Sequence, residues 1–159
     1  MTDSAVPARA FDAVRSMGGA ESFLAVVTTL RPDGTPHASL VNAGVLPHPV
    51  TGTMVGAFVN HGRRKLEHLR ARPVLTLTWR SGWSWISLDG SVELAGPDDA
   101  LGGWTADDQA NRLPGLLRAI YIAAGGTHDD WDTYDRVMAE ERRVAVLVTP
   151  TRIYGDYSG

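Results

Sequence analysis

The stretch Asn60-His61-Gly62-Arg63-Arg64-Lys65-Leu66-Glu67-His68-Leu69 follows an apolar, β-branched run over 53–59 and precedes Pro73. The period changes there from alternation to apolar residues at 66 and 69. A strand therefore hands over to a short helix, expected over 62–71 and ended by Pro73. Three adjacent cations at a helix start oppose its macrodipole and sit among unpaired N–H groups. A bound anion would resolve the conflict, because N–H groups and cations then converge on it, and phosphate fits. A solvated basic turn is the alternative. Lys65 is the only lysine in the chain; the other fourteen of its 15 basic residues are arginine.

Upstream, residues 23–30 (Phe-Leu-Ala-Val-Val-Thr-Thr-Leu) form a β-branched strand. Asp33-Gly34 turns the chain back antiparallel into a second strand over 37–45, and 54–59 is a third. A short helix over 8–17 precedes them, with Phe11, Val14 and Met17 on one face. Downstream, 74–79 and 83–94 are partner strands about Ser81-Gly82. Residues 97–111 read as loop and short helix, 113–124 as a helix ended by Gly125-Gly126, and 130–142 as another helix. Val144–Val148 is a last strand continuing toward Tyr154. Hairpin connections disfavour parallel βαβ wrapping, and this many strands in 159 residues favour a closed barrel without edges. The reading is α+β: a single domain over 1–159, an antiparallel barrel with flanking helices.

A net charge of −3, from 15 basic and 18 acidic residues, argues against a general nucleic-acid partner. Without cysteine there is no disulfide, thiolate metal site or cysteine nucleophile. No apolar run would cross a bilayer and residues 1–15 do not read as a signal peptide, so the expected location is cytoplasmic, with no membrane partner. The five histidines (37, 48, 61, 68 and 128) lack ligand spacing, and no metal is expected. Residues 128–132 (His-Asp-Asp-Trp-Asp) read as a helix start: Thr127 or Asp129 as N-cap, Asp132 paired with Arg136. Trp131, Tyr134, Val137 and Met138 would make its apolar face.

Residues 58–65 (Phe-Val-Asn-His-Gly-Arg-Arg-Lys) resemble the Tyr-Thr-Asn-x-Gly-Ser-Arg-Lys segment of the pyridoxamine 5′-phosphate oxidase-like flavin proteins. Residues 72–79 resemble their Asn-Pro-x-x-x-Leu-x-x-Trp, and 86–93 their Val-x-x-x-Gly-x-x-Glu, in the same order and spacing. The likeness covers 22–95 well and the last third loosely. It implies a split antiparallel β-barrel homodimer (FMN-binding, oxidase-like) with a flavin-type cofactor at each end of the subunit interface. By this resemblance Arg64 and Lys65 bind the cofactor phosphate, and Arg63 adds an anion contact. Asn60 lies in the same motif and joins the cofactor site, while Val41 and Asn42 lie against the ring system, their backbone facing its polar edge. Trp79 matches the motif and Trp85 stands where the family has a cofactor-contacting Gln, so each is expected to border the ring or an interface.

The departures from the pattern carry information too. On the second strand the oxidases have Arg-x-Val-Leu-Leu-Lys; here Ala-Ser-Leu-Val-Asn-Ala, residues 38–43, lacks both cations. Val59 replaces a phosphate-binding Thr, and 151–159 lacks the Arg-Leu-x-Pro ending that helps bind pyridoxal phosphate, so vitamin B6 oxidation is not expected. The sequence is more similar to the deazaflavin-dependent reductases of the same fold, which bind coenzyme F420 and use a Gly-Arg-Arg-Lys-type run for the phosphate and the acidic oligoglutamate tail. This implies hydride transfer from C5 of reduced F420 to an electron-poor C=C, C=N or C=O of a small organic substrate. The alternatives are an FMN- or heme-binding oxidase or carrier, and an F420-binding protein without turnover. No catalytic acid is singled out; His37 and His61 are the histidines placed to donate a proton.

Overall fold

The computed structural model describes residues 6–157 and carries the strands that the alternation predicts. They are β1 (Leu24–Leu30), β2 (Pro36–Pro47), β3 (Met54–Asn60), β4 (Val74–Ser81), β5 (Ser84–Ala95) and β6 (Val144–Asp156). All pair antiparallel and close into a barrel in the order β1-β2-β3-β6-β5-β4. Four helices accompany them: α1 (Ala8–Ala20), α2 (Arg64–Ala71), α3 (Ala106–Ala123) and α4 (Trp131–Glu140). The expected α+β antiparallel barrel is the observed architecture.

Strand alternation makes two apolar surfaces. Inward residues, among them Val27, Phe58, Leu77, Trp79, Ile86 and Leu88, fill the barrel together with Phe11, Val14 and Met17 of α1. Outward residues of β2, β3 and β6, such as Leu46, Val55, Ala57 and Leu147, are covered by Leu116, Leu117 and Ile120 of α3 and Tyr134 of α4. Among the described residues no helix contributes to a second such layer on the opposite outer face. Cross-strand pairing lines up Leu40, Val26, Thr78, Ser87 and Tyr154 in one row across five strands there. Leu40 is 65% exposed and Val26 41%, an unusual state for apolar residues side by side on a sheet.

Local chemistry moves two boundaries. The helix expected over 113–124 begins at Ala106 and runs through Pro114. Thr105 accepts from the Asp108 N–H at 3.0 Å while the Asp108 carboxylate accepts from the Thr105 N–H at 3.0 Å, and this capping box starts the helix earlier. On α4 the cap is Asp130, which accepts from Thr133 N at 3.1 Å, instead of Thr127 or Asp129. Arg136 leans toward Glu140 at 3.9 Å instead of Asp132. The helix's stronger pair is Asp135 with Arg118 of α3, a two-pronged contact between the helices.

Gly44 on β2 sets the seat of α3. A Cβ there would lie 2.2 Å from the Ala123 carbonyl oxygen, so only glycine lets the end of the helix rest on the strand. Gly44→Ala is expected to destabilise the fold by about 1–3 kcal/mol in denaturant unfolding. Unchanged stability would mean that α3 is not held against β2.

Candidate functional site

Because α3 ends on β2, a space remains between its carboxyl end, β2, the end of β3 and the first turn of α2. This is a cavity of about 670 Å³. One end is polar: Asn60, His61, Lys65 and Arg143 line it. The other is apolar, walled by Phe23, Ile120 and Tyr121; Leu40 and Met138 also line the cavity.

Lys65 stands at the polar end in the first turn of α2, which has no side-chain cap. Its Nζ donates to Ser39 Oγ at 3.2 Å. Among the described residues no ion pair is made by Arg63, Arg64 or Lys65. Burial lowers the Lys65 pKa below the ordinary lysine value, because a half-enclosed ammonium without a carboxylate is poorly solvated. Asn60 is 2% exposed. Its Nδ2 donates to Gly62 O at 2.8 Å, and its Oδ1 has no partner. An unpaired acceptor beside an unpaired cation is an arrangement that a ligand carrying both a donor and an anionic group would satisfy.

The apolar end rests on a strained turn. Ser22 and Phe23 both adopt left-handed φ, 57° and 55°, which is rare for a bulky side chain. The turn is held by Phe23 N–H donating to Gly18 O at 2.6 Å and by Asn42 Nδ2 donating to Ser22 O at 2.9 Å. The Phe23 ring fits against Gly18 and Gly125, where a Cβ would meet it at 2.5 Å and 2.6 Å. The Tyr134 hydroxyl donates to Leu117 O at 3.1 Å, and that of Tyr121 to Thr127 O at 3.1 Å. Neither phenol proton is free for chemistry, and burial pushes the Tyr134 pKa up to about 12.

Five residues singled out in the sequence meet at this cavity: Val41, Asn42, Asn60 and Lys65 of the expected cofactor site, and His61. Arg63 and Arg64 stay exposed just outside its lining. Trp79 needs correction as a ring neighbour: it is wholly buried inside the barrel, where its Nε1 donates to Ala43 O at 3.0 Å. Trp85 does not line the cavity either. The residue pairs with Arg80, one step out of phase with the Trp79–Ile86 pair, so it points to the bare outer face and packs edge-on against Tyr154 at 6.0 Å. Arg143 and Phe23 were not anticipated. Arg143 reaches Asn60 only because β6 pairs with β3, with Val144 opposite Asn60, and nothing local announces this.

The sequence profile described as pyridoxamine 5′-phosphate oxidase matches residues 12–155. The chain belongs to that family. Among solved structures it is similar to a conserved hypothetical protein, Rv2991, of Mycobacterium tuberculosis (TM-score 0.64, 18% identity, 98% of this chain and 84% of that one). It is also similar to a pyridoxamine 5′-phosphate oxidase-related, FMN-binding protein of Nostoc punctiforme (TM-score 0.62, 13% identity, 97% and 86%). A protein described as an F420 reductase has the same fold (TM-score 0.52, 17% identity, 84% and 90%). Identities this low show a common fold. The family includes oxidoreductases, and a flavin-type cofactor is in keeping with these neighbours.

Followed by ultraviolet absorbance, a pH titration should show one tyrosine ionising only near pH 12. Tyr134→Phe should remove that late phase. Removal of an earlier phase instead would mean that this hydroxyl is free to act as an acid.

Proposed function

We propose that this protein is an F420-dependent oxidoreductase that passes a hydride from the reduced deazaflavin to an electron-poor C=C, C=N or C=O of a small organic substrate. The observation that carries the reading is Lys65: a partly enclosed cation with no carboxylate partner among the described residues, at the polar end of a cavity that also has apolar and aromatic walls. A phosphate at Lys65 would leave the apolar end for a flat ring. Arg63 and Arg64, exposed beside it and free of ion pairs among the described residues, suit an acidic tail that runs out of the cavity. An F420 reductase among the fold neighbours supports the choice.

The bound deazaflavin would supply the hydride chemistry; the chain supplies position, charge and dryness. Lys65 holds the anionic end. Asn60 Oδ1 accepts a hydrogen bond from a ligand hydroxyl or N–H. Phe23 and Ile120 form the apolar wall of the ring end. With both tyrosine hydroxyls engaged, His61, exposed at the mouth and 3.6 Å from Glu141, is the group left to relay a proton. FMN as the cofactor is the second reading, favoured by the FMN-binding neighbour from Nostoc punctiforme. FMN that stays bound through gel filtration would support it. F420 fluorescence quenched more strongly as the glutamate tail lengthens supports the first, and consumption of reduced F420 with an enone or quinone separates an enzyme from a binder.

The same reading makes the working form a homodimer with the cofactor at the subunit interface. The row Leu40–Val26–Thr78–Ser87–Tyr154, with Leu40 and Val26 exposed, is the face for a second copy, since it is partly apolar and reaches Leu40 on the cavity wall. Among the described residues no helix is long and apolar enough to cross a membrane, and a cytoplasmic enzyme without membrane or nucleic-acid partners completes the proposal.

Lys65→Ala is expected to weaken F420 binding by about 1.5–3 kcal/mol, the scale of one charge-assisted contact. An unchanged affinity in fluorescence titration would sink the assignment. Leu40→Arg or Val26→Arg should halve the mass seen by light scattering. A wild-type monomer that still binds cofactor would defeat the dimer.

A further inference from the structure

Arg143 lines the cavity and has no part in the reading above. It stands where α4 turns into β6, and that turn is a Schellman cap. Arg142 N–H donates to Ala139 O at 3.1 Å and Arg143 N–H donates to Met138 O at 3.0 Å. Such a cap favours glycine at its left-handed position and an apolar residue directly after it. This chain breaks both preferences. Arg142 carries the left-handed φ, 52°, with its guanidinium on the Asp98 carboxylate at 2.8 Å and 2.9 Å. Arg143 takes the place of the apolar residue. Local rules broken without a local gain mark a strained or functional position.

The Arg143 side chain is 23% exposed. Its Nε donates to Glu141 Oε2 at 2.7 Å, which fixes the guanidinium plane. The same carboxylate oxygen lies 3.6 Å from His61 Nδ1, so Glu141 is shared between two basic groups. Among the described residues the Nη1 and Nη2 groups of Arg143 have no hydrogen-bond partner. The guanidinium therefore keeps a free edge of two parallel donors, the geometry that matches a planar carboxylate. The wall beside it is apolar. Met138, Tyr134 and Tyr121 also line the cavity, the two phenol rings with centroids 5.0 Å apart. Arg143 is close enough to Tyr134 for its charge to oppose the push that burial and Tyr121 exert on that phenol.

We propose that Arg143 anchors a substrate carboxylate: the cavity takes a small carboxylic acid with an apolar or aryl body, its carboxylate on the Nη edge and its body along Met138, Tyr134 and Tyr121. The anion site stands on these residues alone; that the acid is what the deazaflavin reduces rests on the reading above. An acid bearing an electron-poor C=C would take the hydride at one alkene carbon and a solvent proton at the other, leaving the deazaflavin oxidised. The carboxylate stays unchanged and serves only to place the alkene.

The test compares hydrocinnamate, which has no C=C to reduce, with its neutral amide, by calorimetric titration of the wild type. The acid is expected to bind about tenfold tighter or more, the scale of one charge-assisted contact. Equal affinities, or no binding of either compound, overturn the proposal. Arg143→Gln should bind both alike, and Arg143→Lys, with the charge but not the planar fork, should recover part of the preference. A Gln variant that keeps the full preference also overturns it. The titration is then repeated with F420 present. Simultaneous binding upholds the substrate role, whereas displacement of hydrocinnamate gives the edge to a carboxylate of the cofactor's own tail and overturns that role. In a turnover arm, benzoylacrylate should consume reduced F420 with a lower KM than its methyl ester, and Arg143→Gln should erase that difference. Equal KM values in the wild type count against the anchor. An Arg143-dependent preference for the acid without F420 binding or turnover keeps the anion site and discards the deazaflavin reading. F420 binding with equal affinities for acid and amide does the reverse.

Discussion

The pairing of β3 with β6 organises the rest of the molecule. Asn60 lies opposite Val144 and Gly56 opposite Val148, so the last strand must return to the third and close the barrel. The chain between β5 and β6 has to cross the outer surface on the way. Helices α3 and α4 do this, and their apolar sides bury the outward residues of β2, β3 and β6. One crossing thus builds the second core, sets the roof of the cavity over β2 and brings Arg143 to Asn60. It also leaves Leu40 and Val26 exposed on the β1–β2 part of the outer face.

Electrostatics then decides which part of that cavity is chemically distinctive. Arg63 and Arg64 keep their hydration at small cost, whereas Lys65 is drawn partly out of water and leans on the neutral Ser39 hydroxyl. His37 Nδ1 and Asn60 Oδ1 are among the buried side-chain atoms without a partner. Polar groups left unpaired and close together are rare in folded interiors and are concentrated where something binds. The oxidases' second-strand cations are absent here, with Ala38 and Ala43 in their places. The positive charge near His37 comes instead from α2 and from Arg31.

Strain points to the same place. Two successive left-handed residues, Ser22 and Phe23, sit where α1 passes into β1, and they are fixed by backbone and Asn42 contacts. The result is a phenyl ring clamped between the ends of two helices at Gly18 and Gly125. Such a turn is stable only when its surroundings over-determine it. The outcome is a rigid apolar wall facing the Lys65 end.

Much of this was legible from local rules. β-branched and apolar runs, alternation and turn residues located the strands, because a sheet favours such side chains on its buried face. The cationic run after the third strand located the polar end of the site, because a helix start concentrates unpaired N–H groups within one turn. Family motifs brought in Asn60, Val41 and Asn42. What local pattern could not say was how strands face one another. Trp79 and Trp85 look alike in sequence, yet register turns one into the core and the other to the outer face. The start of α3 hung on a capping box whose stabilisation outweighs Pro114. Arg143 and Phe23 join the site only through contacts between segments distant along the chain, and His37 becomes chemically unusual only once α2 folds over it. The sequence by itself determined the elements and the charge at one corner, since those depend on neighbours within a turn or two. The tertiary structure alone decided the cavity and the unpaired polar atoms, since enclosure and partner count are properties of packing.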